Sequence, residues 1–385
     1  YKIDSSTGNE EELWNNDLEI VPDSLENNDY KTTEGKEWIN ENGDEETRNY
    51  INGAVSYLSP YISRGVISTK FVHQELIKRR MPTERILKFV QELAWRDYWQ
   101  LVWKEKEEAI NYDIKNKQEP VISYGVSSAL HTAKTGIKAI DKAVTDLYKT
   151  GYLHNHLRMY IASIACNIGK NYWKKPAQWM YYHLLDADWA SNALSWQWVA
   201  GSNSNKKYYA NQENINTYCQ DHQKSSFLDV SYDDFEDLPV PDILLTSTML
   251  RLTTPLPKNK KIIVNTKLPT LIYNFYNLDP TWKKELTLNR ILLLEPSVFR
   301  KYPVSKKSLD FVLSLSKNIE GIQVYVGEFD ALVSEYKLER IRFKEHPLNK
   351  HYKGIEEERD WMFSVKGYHS SFFSFWKKCK KELKF

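Results

Sequence analysis

Residues Asp186–Gly201 read DADWASNALSWQWVAG, and their spacing decides the region around them. Asp188, Asn192 and Trp196 stand four residues apart, so on a helix they share one face. A carboxylate and an amide running into an indole suit a site that holds a polar, redox-active ring better than a plain core helix.

Two upstream stretches carry the same mixture. In Gln91–Trp99, QELAWRDYW, residues Glu92, Trp95, Arg96 and Trp99 fall at i, i+3, i+4 and i+7. A surface Glu–Arg pair explains part of that stripe but not two tryptophans on it. In Gly151–Met159, GYLHNHLRM, residues Asn155, Arg158 and Met159 cluster at i, i+3 and i+4, and Arg158 is the residue type that grips a carboxylate with two parallel hydrogen bonds. Earlier still, Ala54–Ser68, AVSYLSPYISRGVIS, reads as a loop entering a helix, with hydroxyls at Ser56 and Ser59 and Pro60 just after. Hydroxyls and backbone N–H groups at such a turn suit a diphosphate, although an ordinary capped turn has the same appearance.

Bulk properties bound the answer. The chain has 385 residues, 41% of them hydrophobic, enough for two globular domains. Aromatics reach 14%, with 13 Trp and 25 Tyr, which suits either flat-ring handling or an aromatic helical core. The net charge of +2 hides an asymmetry: residues 1–50 carry four basic side chains against fifteen acidic ones, leaving +13 for residues 51–385. A basic body suits a polyanion partner. Cys166, Cys219 and Cys379 lack metal-ligand spacing, so no metal site, cluster or disulfide framework is expected. The absence of a long apolar run and of a signal-peptide pattern points to a soluble, cytoplasmic protein with no membrane partner.

The fold class expected is mostly α, a helical domain followed by a smaller α/β domain. Residues 1–50 form an acidic, partly irregular leader. Residues 51–235 are helical, with Thr135 or Asp141 available to cap turns. Residues 236–385 hold short apolar runs, Ile243–Leu245, Ile262–Val264, Ile291–Leu294, Ile322–Val326 and Ile341–Phe343, alternating with helix-like segments such as KKSLDFVLSLSKN, which implies some parallel pairing. No glycine-rich phosphate loop occurs there.

Together the quoted motifs resemble the flavin-binding helical domain of the DNA photolyase and cryptochrome superfamily, over roughly residues 35–200. The resemblance implies a bound FAD. Its diphosphate would rest on Ser56, Leu58 and Ser59, with Val55 where the family usually has Thr. Phe89 and Arg96 would be flavin-side contacts, as would Asn155. Arg158 would pair with Asp186 against the ring, Asp186 and Asp188 would line the ribityl chain and the polar ring edge, and Asn192 would face flavin N5. For the substrate, the resemblance assigns Glu92 as the carboxylate that hydrogen-bonds a pyrimidine dimer, Trp95 and Trp198 as the walls of its pocket, and Asn155 and Met159 as further contacts. Trp196 and Trp173 match the proximal and middle members of an electron-transfer chain. The distal tryptophan is missing from SSALHTAKTG, so Tyr124 or another aromatic would have to replace it.

Other departures matter too. His156 stands where dimer-repairing members usually carry Arg, and KKYYANQENIN replaces the family's Arg-Ile-Phe-Asn-Pro stretch. Because the flavin motifs begin within 60 residues of the start, the family's amino-terminal antenna domain is expected to be absent. The α/β segment after residue 240 is either antenna-like in a swapped order or a generic accessory domain. The activity implied is blue-light-driven splitting of cyclobutane pyrimidine dimers in DNA by reduced FAD. The alternatives are a cryptochrome-type photoreceptor without repair, which the retained dimer-contact set disfavours, and a light-independent nucleic-acid-binding protein with a relic flavin fold.

Overall fold

The structure, a computed structural model, describes residues 47–53 and 55–383; the leader expected over residues 1–50 lies almost wholly outside them. Short turns aside, the helices are α1 (Ser59–Ser63), α2 (Thr69–Lys78), α3 (Thr83–Lys106), α4 (Lys138–Thr150), α5 (Asn155–Ser163), α6 (Lys174–His183), α7 (Trp189–Val199), α8 (Gln212–Cys219), α9 (Pro296–Lys301), α10 (Lys306–Ser316), α11 (Phe329–Tyr336) and α12 (Phe372–Cys379). The strands are β1 (Val126–Ser127), β2 (Ser247–Thr248), β3 (Thr270–Tyr273), β4 (Asn289–Leu294), β5 (Ile322–Val326), β6 (Ile341–Lys344) and β7 (Ile355–Glu357).

The contacts divide the chain differently from a single cut near residue 235. Residues 57–104 cluster with residues from 253 onward, and residues 105–252 form the second unit with those just before 57. The physical reason is α3, whose amino-terminal part packs its apolar face against the carboxy-terminal aromatics: Trp95 and Tyr98 meet Phe372 and Phe375.

The α/β unit is built on an all-parallel sheet in the order β5-β4-β3-β6-β7. β4 is buried along its whole length, as a strand covered on both faces must be. One core gathers Ile272, Ile291, Leu293, Phe329, Leu332, Ile341 and Phe343. The direction of winding reverses between β3 and β6, the position where open α/β sheets commonly bind ligands. Here protein rings stand at that point: Tyr276 stacks on buried His346 with centroids 4.3 Å apart, and Trp103 meets His346 edge-on.

Three of the expected strands form, at β4, β5 and β6. Ile243–Leu245 is instead a turn of helix, and Ile262–Val264 joins no ladder. β3 and β7 were not among the expected runs; β3 is only four residues long, and β7 pairs through a polar Ile-Glu-Glu stretch whose pattern carries no apolar signal.

In the helical unit, α4 begins where Asp141 accepts hydrogen bonds from the backbone N–H groups of Thr135 and Gly136. It ends at Gly151, whose φ of +75° and N–H bond to the Leu147 carbonyl close the last turn. A Cβ at Gly151 would lie 2.7 Å from Leu185 Cγ, so only glycine lets the Leu185–Asp186 segment approach this turn. α7 is apolar all round and buried. Its buried amide, Gln197, donates to the Ile110 carbonyl and accepts from the Ile114 N–H, while Trp189 donates to Asn111. Among the described residues, no helix is long and apolar enough to cross a membrane, and no His/Cys/Asp/Glu group is arranged to hold a metal ion.

Candidate functional site

In the helical unit, Arg158 and Asp186 form a two-pronged ion pair. Arg158 Nη1 lies 3.0 Å from Asp186 Oδ2 and Nη2 lies 3.2 Å from Oδ1, while Nε donates to the Leu153 carbonyl at 2.8 Å. All three donor edges of the guanidinium are held, which fixes its plane. Asp186 is buried, and Gly151 helps to place it, since the Leu185 N–H donates to the Gly151 carbonyl at 2.9 Å.

Asp188 sits outside the helix rather than on its face. It is the N-cap of α7, with extended backbone and Oδ1 accepting from the Ser191 N–H at 3.2 Å, because a carboxylate satisfies the orphan donors of a first turn better from that position. Asn192, buried on α7, donates from Nδ2 to the Ala177 carbonyl at 2.8 Å. A carbonyl can only accept, so this bond sets the amide's orientation and aims the acceptor Oδ1 the other way. Trp196 is buried and Trp198 is 39% exposed, its ring tilted against Tyr208 at 5.8 Å.

α5 begins with Asn155, which is exposed, and carries Met159 half-buried. Its N-cap is His154, whose Nδ1 accepts from the His156 N–H while Nε2 bonds the Arg48 carbonyl at 3.1 Å. The proton therefore resides on Nε2, and burial pushes the ring's pKa down to about 4. His156 bonds the Asn49 carbonyl at 2.7 Å and packs with Tyr160 and Tyr218. Its place in this structure is to tie residues near 49 to α5.

In the α/β unit, the diphosphate-like element opens α1. Leu58 is the buried N-cap residue without a side-chain cap, and Ser59 and Pro60 occupy the first turn, so the serine is not a capping residue. Ser56 precedes the element, half-buried. Arg96 on α3 donates to the Ser63 hydroxyl of α1. Phe89 is half-buried on α3, and Glu92 lies 3.8 Å from Lys88 one turn back. Trp95 lies flat against Phe372 of α12, with centroids 3.6 Å apart and an interplanar angle of 11°. No sequence pattern marked Phe372 as a partner of Trp95, because the two are separated by the whole α/β sheet along the chain.

Trp173 is fully buried, its Nε1 donating to Asp113 at 2.8 Å, and it neighbours Trp189 at 6.4 Å and Tyr172 at 5.8 Å. Asp113 was also missed by the sequence reading; a single carboxylate in a polar loop gives no signal of its own.

Residues 89–229 match the family model described as the FAD binding domain of DNA photolyase. The chain carries the FAD-binding domain of the photolyase and cryptochrome superfamily. A deoxyribodipyrimidine photo-lyase of Agrobacterium fabrum is 32% identical over 169 residues, 42% of this chain and 35% of that protein. A cryptochrome DASH of Natronomonas pharaonis is 30% identical over 186 residues, 46% of this chain and 39% of that protein. A crystal structure of a Synechocystis cryptochrome aligns with a TM-score of 0.42 and 26% identity over 45% of this chain and 38% of its own. The chain thus spans between a third and two-fifths of the length of these relatives. The matched photolyase-like segment includes Arg158, Asp186, Asp188 and Asn192, and it runs on through Trp198 to the loop after α8.

Proposed function

We propose that this protein binds FAD through its photolyase-like domain and uses it for blue-light-driven splitting of cyclobutane pyrimidine dimers in DNA. The observation that carries the reading is the Arg158–Asp186 pair, a planar, three-point-held guanidinium next to a capped carboxylate at Asp188 and an oriented amide at Asn192. Those groups fit a flavin. A flat ring system with one polar edge needs a fixed donor plane and nearby carboxylates, and a protonated ring nitrogen needs an acceptor such as Asn192 Oδ1. FAD, when bound, supplies the light-excited electron that opens the dimer.

The chain's own residues do the rest. Arg158 and Asp186 hold their charges in a mutually neutralised pair, so neither perturbs the ring as a lone buried charge would. Asn192 offers an acceptor without adding charge. Ser56 and Ser59 supply hydroxyls for the diphosphate, Leu58 and Phe89 apolar cover, and Arg96 a cation. On the substrate side, Glu92 would hydrogen-bond the dimer, with Trp95 and Trp198 as stacking partners and Asn155 and Met159 as contacts. Extruding the lesion from the duplex is the step that phosphate contacts by Lys and Arg would support. Trp196 and Trp173 would carry electrons.

One observation favours a second reading. The face of Trp95 is already taken by Phe372, as expected of a photoreceptor that senses light without taking up a dimer. The deciding experiment is illumination of the reduced protein with an oligonucleotide containing a thymine dimer, following recovery of thymine absorbance. Recovery under blue light and none in darkness supports repair. Bound flavin without recovery supports the photoreceptor, and a colourless protein overturns both.

A further inference from the structure

The missing distal tryptophan leaves Trp173 buried with no indole between it and solvent on the sequence's own pattern, yet aromatic rings continue outward from it. Tyr172 meets Trp173 with centroids 5.8 Å apart, and Tyr124 meets Tyr172 at 5.4 Å. Tyr124 is 66% exposed. The three rings form a contact path from a fully buried indole to the surface, each separation within the range of packed aromatic pairs. The path is braced by backbone. The Tyr172 N–H donates to the Ser123 carbonyl at 2.7 Å, and the Ile122 N–H donates to the Lys170 carbonyl at 2.9 Å, so the strand bearing Tyr124 is clamped to the segment bearing Tyr172 and Trp173.

A tyrosine does not simply replace a tryptophan in such a path. Removing an electron from a phenol makes its hydroxyl strongly acidic, so a tyrosine is an effective donor only where its proton has somewhere to go. Asp113 stands at that place. Its Oδ1 accepts from Trp173 Nε1 at 2.8 Å, and the same carboxylate accepts a hydrogen bond from the Tyr172 hydroxyl. Asp113 is itself positioned, because Oδ2 accepts from the Gln118 N–H at 3.0 Å and Gln118 is locked by bonds to the Asn171 carbonyl and the Trp173 N–H. One carboxylate therefore bridges the N–H of the indole and the O–H of the phenol. The Tyr172 hydroxyl holds its proton in the resting protein: burial and the Asp113 charge push its pKa up to about 12.

We propose that Asp113 is a proton relay that lets Tyr172 refill an oxidised Trp173, with Tyr124 as the surface exit, so that this chain passes an electron inward along Tyr124, Tyr172 and Trp173. The steps balance. When Trp173 loses one electron, its Nε1 proton moves to Asp113 Oδ1, leaving a neutral indolyl radical. Tyr172 then gives one electron to that radical and its hydroxyl proton to the Asp113 carboxyl group, which returns a proton to Nε1; the sum is one hydrogen atom moved from Tyr172 to Trp173. Tyr124 refills Tyr172 in the same way, losing its own proton to water, and a thiol or ascorbate in solution reduces Tyr124. Asp113 acts through the two rings and is a positioning and proton-holding residue, not one that touches the flavin. The inference deepens the flavin reading above, which supplies the natural oxidant, but the relay is a property of these three side chains alone.

The test needs no flavin. An ultraviolet laser flash ionises tryptophans in place, dissolved oxygen takes up the ejected electron, and transient absorption follows indolyl radicals decaying into phenoxyl radicals. In the wild-type chain a fast phase of phenoxyl growth is expected. Tyr172→Phe, which keeps the ring contacts, should abolish that phase. Asp113→Asn, which keeps an acceptor oxygen for Trp173 Nε1 but cannot take a proton, should slow it about 100-fold, the low end of what a positioned proton acceptor contributes. Tyr124→Phe should preserve the fast phase but remove its quenching by ascorbate. Circular dichroism of each variant checks that it is folded, and a merely structural Asp113 would lower stability without changing this rate. Equal phenoxyl growth in the wild type, Tyr172→Phe and Asp113→Asn overturns the relay, whatever the flavin content. A relay without bound flavin would contradict the function proposed above while leaving this inference standing.

Discussion

Phe372 lies face to face with Trp95, their planes 11° apart and their centroids separated by 3.6 Å. Phe372 is buried and its neighbour Phe373 is exposed and meets Trp95 edge-on. If Trp95 is a stacking wall for a flipped base, this ring competes with the base for the same face. Phe372→Ala should therefore raise affinity for a thymine-dimer oligonucleotide about fivefold, the equivalent of one aromatic pair of about 1 kcal/mol, and lower stability by about 3 kcal/mol through the cavity it leaves. Fluorescence titration and urea unfolding read the two effects. Unchanged lesion affinity in a folded variant would show that Trp95 is a structural anchor only.

Arg158 cannot be replaced by lysine without loss. Lysine keeps the charge but supplies a point donor in place of a fork that holds two carboxylate oxygens and the Leu153 carbonyl at once. Arg158→Lys is expected to weaken FAD binding by at least about tenfold, and Arg158→Ala also to destabilise the helical unit by about 3 kcal/mol, because Asp186 is left as a buried charge without its partner. Flavin retention on gel filtration, alongside thermal unfolding, measures both.

Gly151→Ala tests how Asp186 is placed. The position has φ of +75°, and an added Cβ meets Leu185. The left-handed conformation alone costs an alanine roughly 1–2 kcal/mol, and displacement of Leu185 moves the residue next to Asp186. Lower thermal stability together with weaker FAD binding is expected; lower stability with unaltered flavin affinity would separate Gly151 from the site.

Two buried groups give stability opposite pH slopes. His154 titrates at about 4 in the folded chain against an ordinary 6.5, burial being the main cause. The unfolded chain takes up the proton first as pH falls, so the stabilisation is complete above about pH 6.5 and is lost downward through pH 4, by about 2 kcal/mol between pH 7 and pH 5. Asp97 behaves in the reverse sense: burial raises its pKa to about 6 despite bonds from Thr69 and the Met362 N–H. Its protonated form is favoured by folding, so the α/β unit loses stability as pH rises from about 4 to about 6. Asp97→Asn should flatten that rise and leave the acid loss from His154 in place, as urea unfolding at a series of pH values would show.

Much of the helical domain was legible because its signals are local. Gly151 after α4, Asp141 ahead of it and the Arg158 and Asp186 motifs act over a few residues, and the structure places each where those local rules require. Asp188 was read as a face residue because spacing alone does not separate an N-cap from a first helical turn; only the extended backbone at that position does. The division into units was not legible, since α3 finds its partners Phe372 and Phe375 nearly three hundred residues along the chain. β3 escaped notice because a short central strand depends on neighbours on both sides, β4 and β6, rather than on its own pattern. Asp113 and His154 owe their roles to burial and partners that no spacing rule reports.

The most direct measurement is a flavin titration of the purified full chain and of its Asp186→Asn variant, read by flavin fluorescence quenching and by the cofactor released on denaturation. The account predicts one FAD per wild-type chain and a loss of at least about tenfold in affinity when Asp186 becomes a neutral amide that cannot pair with Arg158. A wild-type chain that binds no FAD, or an Asp186→Asn variant that binds it as tightly as the wild type, would contradict it.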